Sequence, residues 1–197
     1  MTTAVLGTGN IGGTIGRAFA RAGIPTVFGS RHPDTDENAA GDSGARVNSI
    51  DAALTEADVV LLAVPAGAVD EILRTHGAAL SGKLVIDAAN NIGGAVANFA
   101  PQIAELAPGA RYARAFNTLG WENFADPDFD GVKADLYYSC APADQSTLER
   151  HIEAVGLRPM YVGEGQQDTV DAVLRLWFAL AIGQKHGRNL AFRTLTR

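Results

Sequence analysis

Short apolar runs recur along the chain at residues 3–6, 25–28, 59–64, 84–86 and 111–116. Between them lie segments whose apolar residues return every three or four positions. Residues 10–22 place Ile11, Ile15, Ala18, Phe19 and Ala22 on one helical stripe. Residues 66–76 place Val69, Ile72 and Leu73 on another. The run at 59–64 has no polar interruption, as a strand covered on both faces requires. Gly23 stops the first helix and Pro25 cannot continue it. Ser49 is placed to cap a helix that runs to about Ala57. Residues 96–106 read as a helix that Pro101 splits or delays. Residues 31–48 are polar and rich in Asp, Asn and Gly, and read as an exposed loop.

Strands alternating with helices predict an α/β, Rossmann-like, doubly wound parallel sheet. After Phe116 the pattern continues with a segment at 121–130, a strand at 134–138, a helix at 143–155 and a strand near 159–162. A long helix begins near Asp168. Its residues Val173, Leu174, Leu176, Trp177, Phe178, Leu180 and Ile182 leave almost no polar face. Burial nearly all round is expected, either with a second subunit covering one side or with the helix central to one core. The chain thus divides into a dinucleotide-binding domain, 1–140, and a short C-terminal α/β extension, 141–197, that ends in a long buried helix.

Composition narrows the function. The 22 Asp and Glu outweigh 16 Lys and Arg, giving a formal charge of −6. No basic stripe is visible, so no nucleic-acid partner is expected. The basic residues of 185–197 read as a solvated helix end. No apolar run approaches the roughly 20 residues of a membrane span, and no secretion signal opens the chain. A cytoplasmic protein without a membrane partner is expected. The single cysteine, Cys140, reads as a buried strand-end thiol. His76 and His151 read as surface residues. His186 follows the last apolar run and reads as facing the cleft or capping a helix. No histidine–carboxylate cluster has metal-ligand spacing.

Gly7-Thr8-Gly9-Asn10-Ile11-Gly12 fits the G-x-G-x-x-G spacing between a first strand and a first helix. Gly9 lets the backbone approach a pyrophosphate, and Gly12 lets helix and strand pack closely. The helix N-terminus offers free N–H groups to the phosphates. At the end of the second strand, an NAD-binding chain carries an acid for the ribose 2′-hydroxyl. Here that place reads Gly29-Ser30-Arg31-His32, with no acid before Asp34. Ser30 and Arg31 suit a 2′-phosphate, with His32 either a further donor or an exposed loop histidine, so NADP(H) is the expected cofactor.

The run from Gly7 through Arg31, the Arg114-Ala115-Phe116-Asn117-Thr118 stretch and the Asp126-Pro127-x-Phe129 stretch together resemble the coenzyme F420-dependent NADP oxidoreductases. The resemblance implies a homodimer, NADP(H) across the carboxyl ends of the strands, and a deazaflavin, coenzyme F420, as second substrate. It also implies residue roles. Thr8, Gly9, Asn10 and Ile11 fall on the pyrophosphate turn, and Ser30 and Arg31 on the 2′-phosphate site. Ala63, Val64 and Pro65 fall near the nicotinamide ribose. Ala89 and Asn90 fall where a later strand end meets the nicotinamide, and Asn117 and Thr118 on the acceptor side. The chain departs from the family's pattern at Gly13, where many members carry a basic residue, and at 119–123.

No acid–base pair stands out, and none is assigned as catalytic. Hydride passed between stacked rings needs orientation and exclusion of water more than a catalytic side chain. The expected activity is hydride transfer between NADPH and a small-molecule acceptor. The alternatives are a reductase of a flavin or a small carbonyl or imine, and a non-catalytic NADP(H)-binding redox sensor or electron-delivery module.

Overall fold

The computed structural model describes residues 1–197. Ten strands and seven helices follow one another along the chain. They are β1 (Thr3–Leu6), α1 (Asn10–Arg21), β2 (Thr26–Ser30), β3 (Arg46–Ser49), α2 (Ile50–Glu56), β4 (Val59–Leu62), α3 (Ala66–His76), β5 (Leu84–Asp87) and α4 (Ala100–Leu106). Then come β6 (Arg111–Arg114), α5 (Glu122–Ala125), the hairpin β7 (Asp128–Phe129) and β8 (Val132–Lys133), β9 (Asp135–Cys140), α6 (Gln145–Ala154), β10 (Arg158–Tyr161) and α7 (Gln167–Phe178). Eight strands form one sheet in the order β10-β9-β6-β5-β4-β1-β2-β3. Strand order reverses at β1 and β4, the usual place for a ligand in such sheets.

Within each strand the two faces feed different cores. Val5, Phe28, Leu61 and Ile86 meet Ile15 and Phe19 of α1, Leu148 and Ile152 of α6 and Trp177 of α7. Ala4, Leu6, Val60, Leu62 and Val85 meet Leu54 of α2, Val69 and Leu73 of α3 and Ile103 of α4. Apolar residues on both sides of the pleat explain the unbroken run at 59–64. Ser49 caps α2 by accepting a hydrogen bond from the Ala52 N–H. Pro101 sits in the first turn of α4, and the helix begins only at Ala100. No helix is long and apolar enough to cross a membrane.

The sheet is mostly rather than wholly parallel. β9 pairs antiparallel with β6, through Ala113 with Cys140 and Arg114 with Ser139. The connection after β6 never returns to the amino end of that strand, so β9 enters the sheet from the carboxyl end. β10 then pairs parallel with β9 across α6. The expected loop at 31–48 is partly ordered. A 3-10 turn at Glu37–Ala39 seats Ala39 and Ala40 in the core, and β3 adds an outer strand on β2.

Both histidines expected at the surface lie elsewhere. His151 is 2% exposed. Its Nδ1 donates to the Thr147 carbonyl and its Nε2 accepts from the Thr3 hydroxyl, so both ring nitrogens are satisfied inside. Burial lowers its pKa. His76 is largely buried at the end of α3, hydrogen-bonded to Asp51 at 2.8 Å. Cys140 is buried as expected, and its thiol pKa is pushed up to about 12 by burial.

The final helix is amphipathic in this chain. Val170, Asp171, Leu174 and Trp177 face inward, whereas Leu176 is 49% exposed and Ile182, in the π-helical turn that follows, 51%. Residues 185–197 continue without regular structure rather than as a helix end. They return along β9, where Asp135 binds them twice: its N–H donates to the Phe192 carbonyl, and its carboxylate accepts from the Thr194 N–H.

Candidate dinucleotide site

The turn between β1 and α1 is built by close approach. Gly7 has φ +117°, and a Cβ there would lie 2.3 Å from the Ala63 carbonyl oxygen. A Cβ on Gly12 would lie 2.1 Å from the Gly7 carbonyl oxygen. Both glycines therefore let β1, β4 and α1 meet. Gly9 differs, since a Cβ there would meet nothing within 4 Å. It N-caps α1 without any side-chain cap, and Asn10, Ile11 and Gly12 form the first turn. Their N–H groups have no partner inside the helix, because the Gly9 carbonyl accepts first from Gly13. The helix terminus therefore presents free N–H groups to open space, the geometry that suits an anion.

A cavity of about 380 Å³ opens beside this turn, over the carboxyl ends of β1, β2 and β4. Gly7, Thr8, Gly9, Ser30, Arg31, His32, Ala63, Val64 and Pro65 all line it. Asn10, Ile11 and Gly12 lie behind the turn in α1. Ala89, Asn90 and Asn117 lie farther along the same side of the sheet, past the ends of β5 and β6, and do not line the cavity.

Those three residues belong to a buried polar network. Arg114, fully buried, donates to the carbonyls of Asp87 and Ala89 and to Asn90 Oδ1. Asn90 Nδ2 in turn donates to the Asn117 carbonyl at 3.0 Å. Burial pushes the Asp87 carboxyl up, against the pull of Arg114 beside it. Phe116, between Arg114 and Asn117, has φ +61°, a strained value for a bulky residue. Asn117 Oδ1 and Thr118 Oγ1 are buried without hydrogen-bond partners. Unpartnered buried polar atoms thus sit next to a strained backbone at the end of β6.

Two cavity features, and a cation outside the cavity, escaped the sequence reading. Asp36 lines the cavity and accepts from Ser30 Oγ at 2.5 Å and from Thr8 Oγ1 at 3.3 Å. The far wall is one face of α3, formed by Ala68, Glu71, Ile72, Thr75 and His76, with Ile50 beside it. Arg17, one turn beyond Gly13, lies against that glycine and donates to the Ala39 carbonyl at 3.0 Å. A cation is therefore present near Gly13 from a neighbouring position.

Residues 2–91 match a family model described as NADP oxidoreductase, coenzyme F420-dependent. Solved structures share the whole architecture. A protein from Arthrobacter sp., proposed to be an F420-dependent NADP reductase, matches with a TM-score of 0.84 at 20% identity over 100% of both chains. A hypothetical protein from Sinorhizobium meliloti matches at 27% identity and TM-score 0.74, over 100% of this chain and 96% of that one. A reductive aminase from Aspergillus terreus, solved with NADPH and ethyl-5-oxohexanoate, matches at 21% identity and TM-score 0.69. This chain aligns over 94% of its own length but spans only 64% of that enzyme. Residues 2–91, which carry the glycine turn, the Ser30-Arg31 pair and the Ala63-Val64-Pro65 strand end, are thus similar to the coenzyme F420-dependent NADP oxidoreductases.

Proposed function

We propose that this protein binds NADP(H) in the cavity and passes hydride between it and coenzyme F420. The observation that carries the reading is the convergence of the open Gly9 turn and the Ser30-Arg31 pair on one cavity. Bound NADPH would supply the hydride. The first turn of α1 would hold the pyrophosphate, and Ser30 and Arg31 the 2′-phosphate. Arg31 makes no ion pair with any carboxylate of the chain, so its guanidinium is available. Ala63, Val64 and Pro65 would lie along the cofactor toward Ala89 and Asn90.

The protein's task in such a transfer is to orient two rings and keep water out. No side chain is required to carry a proton. His151 is satisfied far inside the fold, and the Cys140 thiol is held protonated. We propose further that a second copy covers the outward apolar residues Leu176 of α7 and Ile182 of the turn after it, as a homodimer.

The test is to mix the protein with NADPH and oxidised coenzyme F420 and follow the deazaflavin absorbance, with NADH as control. Fast bleaching with NADPH supports the reading. Tight NADPH binding without bleaching discards F420 and moves the search to flavins, small carbonyls or imines, or a partner protein.

A further inference from the structure

We infer that Asp36 sets how strongly this chain prefers NADP(H) over NAD(H), by holding the hydroxyl protons that a 2′-phosphate needs. The inference rests on the proposed dinucleotide site and deepens it.

Ser30 is 6% exposed, at the end of β2. Its hydroxyl has one proton to give. That proton goes to Asp36 Oδ2 at 2.5 Å, while the oxygen accepts from the His32 N–H at 2.8 Å. Thr8 Oγ1, in the glycine turn, donates to the same Asp36 oxygen at 3.3 Å. Both hydroxyls that border the ribose end of the cavity thus point at one carboxylate.

Asp36 is held there by its backbone. Its N–H donates to the His32 carbonyl at 3.1 Å, and its own carbonyl accepts from Ala39 at 2.8 Å. Ala39 and Ala40 are buried in the core, and Arg17 clamps the Ala39 carbonyl. The carboxylate is therefore positioned by the fold.

A 2′-phosphate and a 2′-hydroxyl meet this arrangement differently. The phosphate is an acceptor only and needs the Ser30 proton that Asp36 already takes. It also brings a second negative charge beside the first, which disfavours both. A hydroxyl is a donor as well, and can give its proton to Asp36 as it does to the acid of an NAD site. Arg31 works in the opposite sense, since its guanidinium favours the phosphate. The site therefore carries one determinant for each cofactor. The acid stands six residues after Ser30 and reaches the ribose site by folding back.

The test is direct binding of NADP+ and NAD+ by calorimetry to the wild-type chain, Asp36→Asn and Asp36→Ser. Both variants remove the charge and keep a polar group. The expected result is a shift of the Kd ratio toward NADP+ by about tenfold, carried mainly by tighter NADP+ binding. Titration with adenosine 2′,5′-bisphosphate against 5′-AMP isolates the same effect without the nicotinamide half. If Asp36 only locks its loop, both ligands weaken together and the ratio stays fixed, which overturns the inference. A wild-type chain that binds NADP+ but shows no ratio change in either variant also overturns it, while leaving the proposed function standing. A chain that binds neither dinucleotide overturns both.

Discussion

The Arg114 guanidinium on β6 grips Asp171 on α7, with Nε donating to Oδ1 at 2.8 Å and Nη2 2.7 Å from the same oxygen. Asp171 Oδ1 also accepts from Asn117, and Oδ2 from Asn98. Every neighbour of this carboxylate is a donor. The bond ties the C-terminal helix to the strand end where Asn117 and Thr118 sit.

Asp171→Asn places an amide N–H₂ among those donors and leaves Arg114 with Asp87 alone. Breaking a buried charge pair costs about 3 kcal/mol. For a chain of this size that lowers Tm by on the order of 10 °C. Calorimetric melting checks it, and an unchanged Tm would show that the network adds nothing.

Gly9→Ala and Gly12→Ala separate binding from folding. At Gly9 a methyl group meets open space, so Tm should stay within about 1 °C while dinucleotide affinity falls on the order of tenfold or more. At Gly12 the methyl collides with the Gly7 carbonyl, so the variant should lose stability by about 2 kcal/mol or more. Equal melting losses in the two variants would contradict the geometry.

Arg31→Ala removes the free guanidinium at the end of β2. NADPH binding should weaken by about ten- to a hundredfold, with NADH binding little changed. Fluorescence titration with both cofactors reads the difference. Equal weakening of the two would place Arg31 away from the 2′-position.

His151 gives the stability a pH dependence. Burial lowers its folded-state pKa below the unfolded value of about 6.5. The unfolded chain then binds the extra proton first, so the contribution is complete above about pH 6.5 and lost as pH falls through the lowered folded value. Urea midpoints between pH 8 and 5 should decline more steeply for the wild type than for His151→Gln. Parallel curves would mean that His151 titrates normally.

Leu176→Glu tests the homodimer. Light scattering of the wild type at micromolar concentration should give twice the 20.6 kDa chain mass, and the variant the single mass. A monomeric wild type removes the dimer from the proposal.

Much of the site was legible because its mechanism imposes a local spacing. Gly7, Gly9 and Gly12 are fixed relative to one another by a single turn, and Ser30-Arg31 follow one strand later. The wall formed by Ala68, Glu71, Ile72, Thr75 and His76 went unread although its helix was correctly bounded, because the helical period does not say which stripe borders a cavity. Asp36 was not, because its place depends on how a polar segment folds back, and no periodicity records that. The direction of β9 was hidden for a related reason: apolar alternation reads the same from either end. His151 was misjudged because Arg150 and Glu149 beside it advertise a surface. Its burial depends on Thr3, almost the whole chain away.

The outermost strands of the sheet have a consequence for solubility. Unpaired strand edges invite further strands and lead to aggregation. On β10, Arg158 and Val162 turn their N–H groups toward β9, so Pro159 between them faces outward and offers no donor. On β3, Arg46 and the half-buried Asn48 both bind Glu56 of α2, and Arg46 puts a charge on this outer strand. Both features disfavour the addition of a further strand. Open-ended fibre growth through this sheet is thereby disfavoured, whereas a contact between two copies through helical faces would close on itself.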